Sequence, residues 1–289
     1  MRFLKAFKEA AKAALFCCPP IRALTVFIYK QRGQKPWSFG YSLYKYAYIR
    51  QVIEQKLDMF NAPLLPDGYG ARLDERCVEY PWFFSRLKDN ARRILDAGSS
   101  LNHYDLLNLK VWQGRQLHIT TLADEGKPPA LIKPVYVYQD LRAMRYPNEF
   151  FDAVVCISTL EHVGMDNALL YTDDPRKKEN DAQSHVQAVD EMRRVLKEEG
   201  TLYLTMPYGR RQNFGWFQVF DEHMVASVVK RFMPRKVEMT YYKYDRRQWN
   251  TAGQKDCAQG YYVDIHAGAH YNNDSPAASQ CVVCLSLTK

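Results

Sequence analysis

Two short apolar runs, each of which stops at small or polar residues, constrain the fold of this chain most strongly. The first run is Arg93–Gly98, and the second, Phe151–Val163, begins about 50 residues later. Runs of this length predict buried strands, and an open α/β sheet binds its ligand where such strands end. Gly98 allows a tight turn at the first end, and Ser99 can cap the helix that follows. The sequence therefore predicts a ligand site at these two strand ends.

Apolar runs alternate with helical stretches from residue 92 onward, which is typical of a parallel sheet. A helix that precedes the fifth strand has apolar residues at helical spacing, and Gly200 is predicted to end it. The expected fold class is α/β, with a doubly wound, mostly parallel, seven-stranded sheet. Its strands are predicted near residues 93–97, 116–122, 135–138, 152–157, 201–206, 237–244 and 280–287.

The positive charge of the chain is concentrated near its N-terminus. The net charge is +8, and residues 1–50 hold ten Lys and Arg against a single acid, Glu9. Such an arm favours an acidic partner, which could be a membrane surface, a phosphorylated substrate or RNA. We expect residues 1–80 to form a basic, amphipathic and aromatic helical extension, and residues 81–289 to form the sheet domain.

Residues 1–18 have the pattern of an amphipathic helix, which Pro19 and Pro20 end. Two readings stay open: this helix packs on the body of the protein, or it lies on an anionic membrane surface. The apolar run 21–29 is too short to cross a bilayer. The apolar face of the helix holds Phe3, Leu4, Phe7, Ala11, Ala14, Leu15 and Cys18, and the opposite face holds Arg2, Lys5, Lys8, Glu9 and Lys12.

The seven cysteines have no spacing typical of a disulfide framework. Adjacent Cys17 and Cys18 cannot form an ordinary bridge, so a reducing compartment fits best. We therefore expect a cytoplasmic location, with peripheral attachment to the inner face of a membrane as an option. Cys281 and Cys284 have half of a zinc-knuckle spacing but no second pair, and a strand explains them better.

Polar and acidic residues follow each of the first four predicted strands in a recognisable order. The order and residue types resemble the class I S-adenosylmethionine-dependent methyltransferases over roughly residues 92–209. The resemblance implies a Rossmann-like fold and S-adenosylmethionine as the cofactor. It rests on Asp96-Ala97-Gly98-Ser99, on Asp124, on Asp140-Leu141 followed by Phe151-Asp152, and on Leu160-Glu161-His162-Val163.

This resemblance implies roles for individual residues. Asp124 would bind the ribose hydroxyls, while Asp140 would accept from the adenine amine, with Leu141 against the ring. Ser158 and Thr159 would lie beside the cofactor. The family usually has a further glycine at position 100, where this chain has serine. The implied cofactor-binding residues are Asp96, Ala97, Gly98, Ser99, Asp124, Asp140, Leu141, Ser158, Thr159 and Glu161.

A histidine is the first candidate for a catalytic base. His162 follows the fourth strand, and the ordinary pKa of histidine near 6.5 suits proton transfer at neutral pH. The alternative is that His162 only packs or supports a helix start. His223 is the reserve candidate. Some related enzymes bind a divalent metal through Glu-x-x-Glu-His, but Ser158 stands at the first position here, so no metal is predicted.

The expected acceptor is a polar molecule. Segments 163–182 and 245–279 carry tyrosine, tryptophan, amide and acid side chains and should border the acceptor pocket. With the basic arm, they favour O-methylation of a carbohydrate or glycan, phosphorylated or lipid-linked, as in methyltransferases of polysaccharide assembly. An RNA or small-metabolite methyltransferase is the first alternative. A non-catalytic scaffold at a membrane is the second. Nucleic acid is disfavoured because the Asn-Pro-Pro-Tyr string of amino-group methylators is absent.

Overall fold

An eight-stranded sheet forms the centre of the protein. The computed structural model describes residues 18–171, 178–264, 268, 271 and 274–289, so nearly all of the predicted helix 1–18 lies outside the described residues. The strand order is β3-β2-β1-β4-β5-β10-β8-β9. The strands are β1 (Arg93–Ala97), β2 (Gln116–Thr121), β3 (Val135–Tyr138), β4 (Phe151–Ile157), β5 (Leu196–Pro207), β8 (Lys236–Asp245), β9 (Gln248–Ala252) and β10 (Cys281–Thr288).

Strands β1 to β5 run parallel to one another, and β10 runs antiparallel to both β5 and β8. This arrangement confirms the predicted α/β fold with a mostly parallel sheet. All seven predicted strands are present within a few residues of their predicted limits. A separate hairpin, β6 (Gln212–Asn213) with β7 (Gln218–Val219), lies outside this sheet.

The predicted number of strands was wrong by one. Strand β9 pairs with β8 through a two-residue turn at Arg246 and Arg247, both of which have positive φ. Hairpin turns of this kind usually contain asparagine or glycine, so an Arg-Arg turn gives no hairpin signal in the sequence. The β9 residues are also mostly half-buried, as expected at the edge of a sheet.

The prediction that Gly200 ends a helix was wrong. The helix His185–Val195 ends before Leu196, which already belongs to β5. The pairing of β4 with β5 shifts register here, because Phe151 pairs with Leu196 and Ala153 with Thr201. Gly200 therefore lies in an irregular start of β5, where any side chain would collide with Leu196.

Helices cover both faces of the sheet. They are α1 (Pro19–Gln31), α2 (Tyr41–Gln55), α3 (Arg76–Arg86), α4 (Tyr104–Leu107), α5 (Ala168–Tyr171), α6 (His185–Val195), α7 (Glu222–Phe232) and α8 (Gln254–Cys257). Three-residue or five-residue 3₁₀ helices occur at Leu57–Asn61, Lys110–Trp112 and Leu160–His162.

Neighbouring strand residues point into two different hydrophobic clusters. Ile94 and Val155 pack with α2 and α3, whereas Leu95 and Val154 pack with α6 and α7 on the opposite face. This alternation is the reason that the strands are apolar throughout, since a parallel sheet is buried on both faces. Cys281 and Cys284 also fall in different clusters, as the strand interpretation requires.

The N-terminal helices share their core with the sheet. Ile49 and Val52 of α2 and Phe83 of α3 lie in the same cluster as the strand residue Tyr203. Helix α3 also spans the boundary that the sequence placed between residues 80 and 81. None of the helices in the described part of the chain is long and apolar enough to cross a membrane.

The strand order reverses between β1 and β4. Strands β2 and β3 continue the sheet on one side of this pair, and β5 continues it on the other. Connections leave the carboxyl ends of β1 and β4 in opposite directions, which opens a crevice between them. The fold thus brings together the two strand ends that the sequence singled out.

Ile49→Ala should lower the free energy of unfolding by about 2–5 kcal/mol, because it empties part of the core between α2 and the sheet. If helices and sheet form one cooperative unit, a single transition should shift in urea denaturation. Leu131→Ala is the control, because that side chain is exposed. Two separate transitions, only one of them shifted, would show that the N-terminal helices form an independent unit.

Candidate cofactor and acceptor site

A cavity lies at the carboxyl ends of the first four strands. Gly98 follows β1, Leu122 follows β2, Asp140 follows β3 and Ser158 follows β4, and all four residues line this cavity. The position agrees with the site predicted from the sequence.

The loop after β1 approaches β4 very closely. Gly98 has φ +121°, and a Cβ atom at this position would collide with the Thr159 side chain. Only glycine adopts this backbone angle readily and leaves room for Thr159. Ser99 is buried in a left-handed conformation, and its hydroxyl has no hydrogen-bond partner in the described part of the chain. Ala97 lies fully buried just before the turn.

Asp96 holds this loop in place through hydrogen bonds to Ser100 and Leu101. Its carboxylate accepts hydrogen bonds from the Leu101 N–H at 2.8 Å and from the Ser100 hydroxyl at 2.9 Å. The side chain is completely buried, and burial raises the pKa of Asp96 to about 7. Asp96 does not line the cavity, so its contribution to a ligand site is through the loop that it holds.

Asp140 and Leu141 both line the cavity, and Asp140 is clamped by an arginine. The Arg142 guanidinium donates to both carboxylate oxygens of Asp140, with a shortest distance of 2.6 Å. The same guanidinium donates to both oxygens of Glu179, at 2.7 and 2.8 Å. Hydrogen bonds from Arg142 hold the pKa of Asp140 below its usual range, although partial burial opposes them.

Two carboxylates follow β2, and Glu125, not the predicted Asp124, contacts residues that line the cavity. Asp124 is exposed, accepts from the Gly126 N–H at 2.9 Å and does not line the cavity. The neighbouring Glu125 instead accepts hydrogen bonds from the hydroxyls of Thr121 and Tyr171, which do line it. Glu125 is therefore tied to the cavity wall, whereas Asp124 turns back to its own loop.

Ser158 is held in place by a buried glutamate from the N-terminal helices. Glu79 of α3 accepts from the hydroxyls of Ser158 and Thr205, both at 2.7 Å, and forms an ion pair with Arg76. Ser158 has φ +39°, an unusual angle for a residue with a side chain. Glu79 thus fixes the turn at the end of β4. The Thr159 hydroxyl donates to the Ile157 carbonyl oxygen at 3.0 Å.

His162 lines the cavity beside the β6–β7 hairpin. Its Nδ1 lies 2.9 Å from the carbonyl oxygen of Trp216. Because a carbonyl only accepts, Nδ1 carries the proton and Nε2 keeps its lone pair. Nε2 has no hydrogen-bond partner among the described residues. The ring packs against Trp216 and Phe217, and burial lowers the pKa of His162 to about 4.

Glu161 lies behind the cavity wall and is not one of the lining residues. It is buried, and its Oε2 atom has no hydrogen-bond partner in the described ranges. Burial raises the pKa of Glu161 to about 8, although the positive charge of Arg76 opposes this. The side chain is consequently protonated at neutral pH. His223, by contrast, is exposed in the first turn of α7 and does not line the cavity.

Several residues of this site were not predicted from the sequence. Arg142 directly follows Asp140-Leu141, so its proximity to the predicted motif was an available signal. Glu125 is adjacent to the chosen Asp124. Glu79 had no comparable signal, because it lies 79 residues before Ser158 in the chain.

The comparisons with known proteins agree with this geometry. Residues 116–204, under a third of the chain, match the family model of a methyltransferase domain. This match supports the expected methyltransferase activity and S-adenosylmethionine as the cofactor. No curated protein matches the chain.

Solved structures with a similar fold have low sequence identity to this chain. One is an S-adenosylmethionine-dependent methyltransferase from Archaeoglobus fulgidus (13% identity, 69% of this chain, 87% of that one, TM-score 0.42). A second is an S-adenosylmethionine-dependent methyltransferase from Methanosarcina mazei (12% identity, 70% of this chain, 94% of that one, TM-score 0.39). A third is the 1,6-didemethyltoxoflavin-N1-methyltransferase from Burkholderia thailandensis, with bound S-adenosylhomocysteine (11%, 69%, 71%, 0.36). Similarity this distant says nothing about the acceptor of this chain.

Glu161→Gln should stabilise the protein relative to wild type by an amount that increases with pH. Between pH 4.5 and about 8, the carboxyl is protonated in the folded chain but ionised in the unfolded chain. The unfolded wild type therefore binds fewer protons, and its free energy of unfolding falls by about 1.4 kcal/mol per pH unit relative to the variant.

Urea denaturation of both proteins across this pH range measures the difference. Glu238→Gln, on the exposed part of β8, controls for the loss of one carboxylate. A difference between wild type and Glu161→Gln that does not change with pH would contradict a buried, protonated Glu161.

Proposed function

We propose that this chain transfers a methyl group from S-adenosylmethionine to an oxygen atom of a polar acceptor, most favourably a carbohydrate. The proposal rests chiefly on one observation: the cavity at the reversal of strand order brings together Gly98, Asp140 and Leu141. Part of the same region matches a methyltransferase domain. The remaining arguments concern how each of these residues would act.

The chemistry of the lining residues fits an adenosine-containing cofactor. Gly98 lines the cavity with backbone alone, where the amino-acid tail would lie, and Leu141 offers an apolar surface for the base. Asp140 would accept from the exocyclic amine, and Glu125, with Asp124 as the sequence-based alternative, would accept from the ribose hydroxyls. When bound, the cofactor supplies a methyl group that is already activated on a sulfonium. The protein then has mainly to orient the acceptor, which is worth roughly 7–11 kcal/mol in favourable cases.

His162 is the residue that we assign as general base. A hydroxyl acceptor must lose its proton as the new bond to carbon forms, and an imidazole with a free Nε2 can take it. The Trp216 carbonyl fixes the tautomer that leaves Nε2 available. With its pKa lowered to about 4, the ring is neutral throughout the physiological range. Proton transfer to a positioned base contributes about 10²–10⁴ in rate.

His162 packs against an aromatic group and faces a cavity that has a polar lining. Trp216, Phe217 and Tyr262 form a contiguous aromatic group, with ring centroids 4.6 Å apart for the first pair and 4.5 Å for the second. The hydrogen-bonding side chains that line the cavity together with His162, among them Asn167, Tyr171 and Glu179, suit the hydroxyls of a sugar.

Asp140→Ala should weaken the binding of S-adenosylmethionine by about 10-fold to 100-fold, because one charge-assisted hydrogen bond is lost. Isothermal titration calorimetry measures the affinity, and circular dichroism checks that the fold is intact. Asp89→Ala is the matched control, since Asp89 is exposed and does not line the cavity. If Asp140→Ala binds the cofactor as tightly as wild type does, Asp140 has no part in adenine recognition.

His162→Ala should lower kcat by about 10²–10⁴ and leave cofactor affinity nearly unchanged. The assay is transfer of a labelled methyl group to separate fractions of glycans, lipid-linked glycans, RNA and small metabolites. For the wild type, the acid limb of kcat/KM should fall well below pH 6.5, because the pKa of His162 is lowered. His223→Ala, on the exposed helix, is the control.

Three outcomes would change the proposal. Labelling confined to RNA or to small metabolites would replace the carbohydrate by that acceptor class. Cofactor binding without transfer to any fraction would favour a non-catalytic scaffold. Equal losses of kcat and cofactor affinity in His162→Ala would remove His162 as the base.

A further inference from the structure

The outward face of helix α1 is apolar, although it faces solvent. Leu24 and Phe27 keep 59% and 58% of their surface exposed, while the polar Thr25 and the tyrosine Tyr29 are buried on the inner face. This is the reverse of the pattern of an ordinary surface helix, whose apolar side faces the core. Contiguous exposed apolar residues generally mark an interaction surface.

The loop after α1 carries a further exposed aromatic residue. Phe39 is 60% exposed, and the next residue, Gly40, packs closely on the α1 residues Thr25 and Tyr29. The loop is thereby fixed beside the helix. We call the three exposed residues Leu24, Phe27 and Phe39 the α1 face.

Basic residues border the α1 face, and acidic residues are absent from this part of the sequence. Lys30, Arg32 and Lys35 are all exposed, and residues 18–50 contain no aspartate or glutamate. Exposed apolar side chains flanked by Lys and Arg are the pattern of a segment that lies in the interface of an anionic membrane.

The segment that precedes α1 has the same character. Residues 1–17 carry four basic residues and one acid, in an amphipathic pattern, and continue directly into α1. If this segment folded back over the α1 face, it would bring its positive charges against those of Lys30, Arg32 and Lys35. An anionic surface instead attracts both groups of charges, so charge complementarity favours the membrane over the chain's own N-terminus.

We propose that the α1 face docks the protein onto an anionic phospholipid surface. Leu24, Phe27 and Phe39 enter the interfacial region, and the bordering basic side chains contact lipid phosphates. This surface is separate from the cavity at the strand ends, and the proposal does not depend on the proposed function. Its test measures membrane binding alone, so the two proposals can fail independently.

The test is co-sedimentation of the full-length chain with vesicles of phosphatidylcholine, alone or in equal mixture with phosphatidylglycerol. Leu24→Ser/Phe27→Ser should reduce partitioning to the mixed vesicles at least about tenfold. Replacing Lys30, Arg32 and Lys35 by glutamine should reduce it about fivefold per charge, and added salt should weaken wild-type binding. Leu64→Ser/Leu131→Ser is the matched control, because both leucines are exposed elsewhere and should bind as wild type does.

Thermal unfolding without vesicles separates the other occupants. The Tm of Leu24→Ser/Phe27→Ser should lie close to that of Leu64→Ser/Leu131→Ser, since the α1 face is then mostly exposed to water. A Tm several degrees below that of this control would mean that the N-terminal segment or a second copy covers the face, and would overturn the proposal. Three further results would overturn it. The wild type could sediment equally with both kinds of vesicle, it could sediment with neither kind, or it could bind single-stranded RNA in a salt-sensitive way and not bind vesicles.

Discussion

The close approach of two strand ends is the constraint on which the site depends. Gly98 after β1 and Thr159 after β4 touch, and no other residue type fits both the space and the backbone angle at position 98. This contact sets the floor of the cavity. Asp96 supports this contact, because its hydrogen bonds to Ser100 and Leu101 hold Gly98 in a conformation that few residues adopt. The cavity, the turn and the buried carboxylate are therefore one arrangement.

A second buried carboxylate links the N-terminal helices to this arrangement. Glu79 comes from α3 but binds Ser158 at the end of β4 and Thr205 in β5. A buried charge of this kind is tolerated only when it is paired and hydrogen-bonded, as Glu79 is by Arg76 and two hydroxyls. Glu161 nearby lacks such partners and is protonated instead. The N-terminal helices thus contribute to the shape of the strand ends as well as to the core.

The order of the elements was readable from the sequence because the central strands are buried on both faces. Each gave a continuous apolar run that stopped at the sheet edge. The position of His162 was predicted from the Leu160-Glu161-His162-Val163 string that follows the fourth run. The edge strand β9 was missed, since its residues are only half-buried and its Arg-Arg turn lacks the usual signal. Burial patterns of this kind are local, so they reveal strands but not distant partners.

Side-chain roles at the site were harder to predict, because they depend on which way each carboxylate turns. Asp96 and Asp124 have the expected residue type, yet one supports a loop from below and the other turns to a backbone amide. Arg142, Glu125 and Glu79 each also have a partner that is distant in the chain: Glu179, Tyr171 and Ser158, respectively. Spacing along the chain carries no information about these distant contacts.

A crystal structure with S-adenosylhomocysteine would test the central claim most directly. We expect the adenine to lie against Leu141, with its amine at the Asp140 carboxylate. We expect the sulfur to lie close to the contact between Gly98 and Thr159, on the side of His162. A nucleoside bound outside this cavity, or no binding at concentrations that saturate ordinary methyltransferases, would contradict the account.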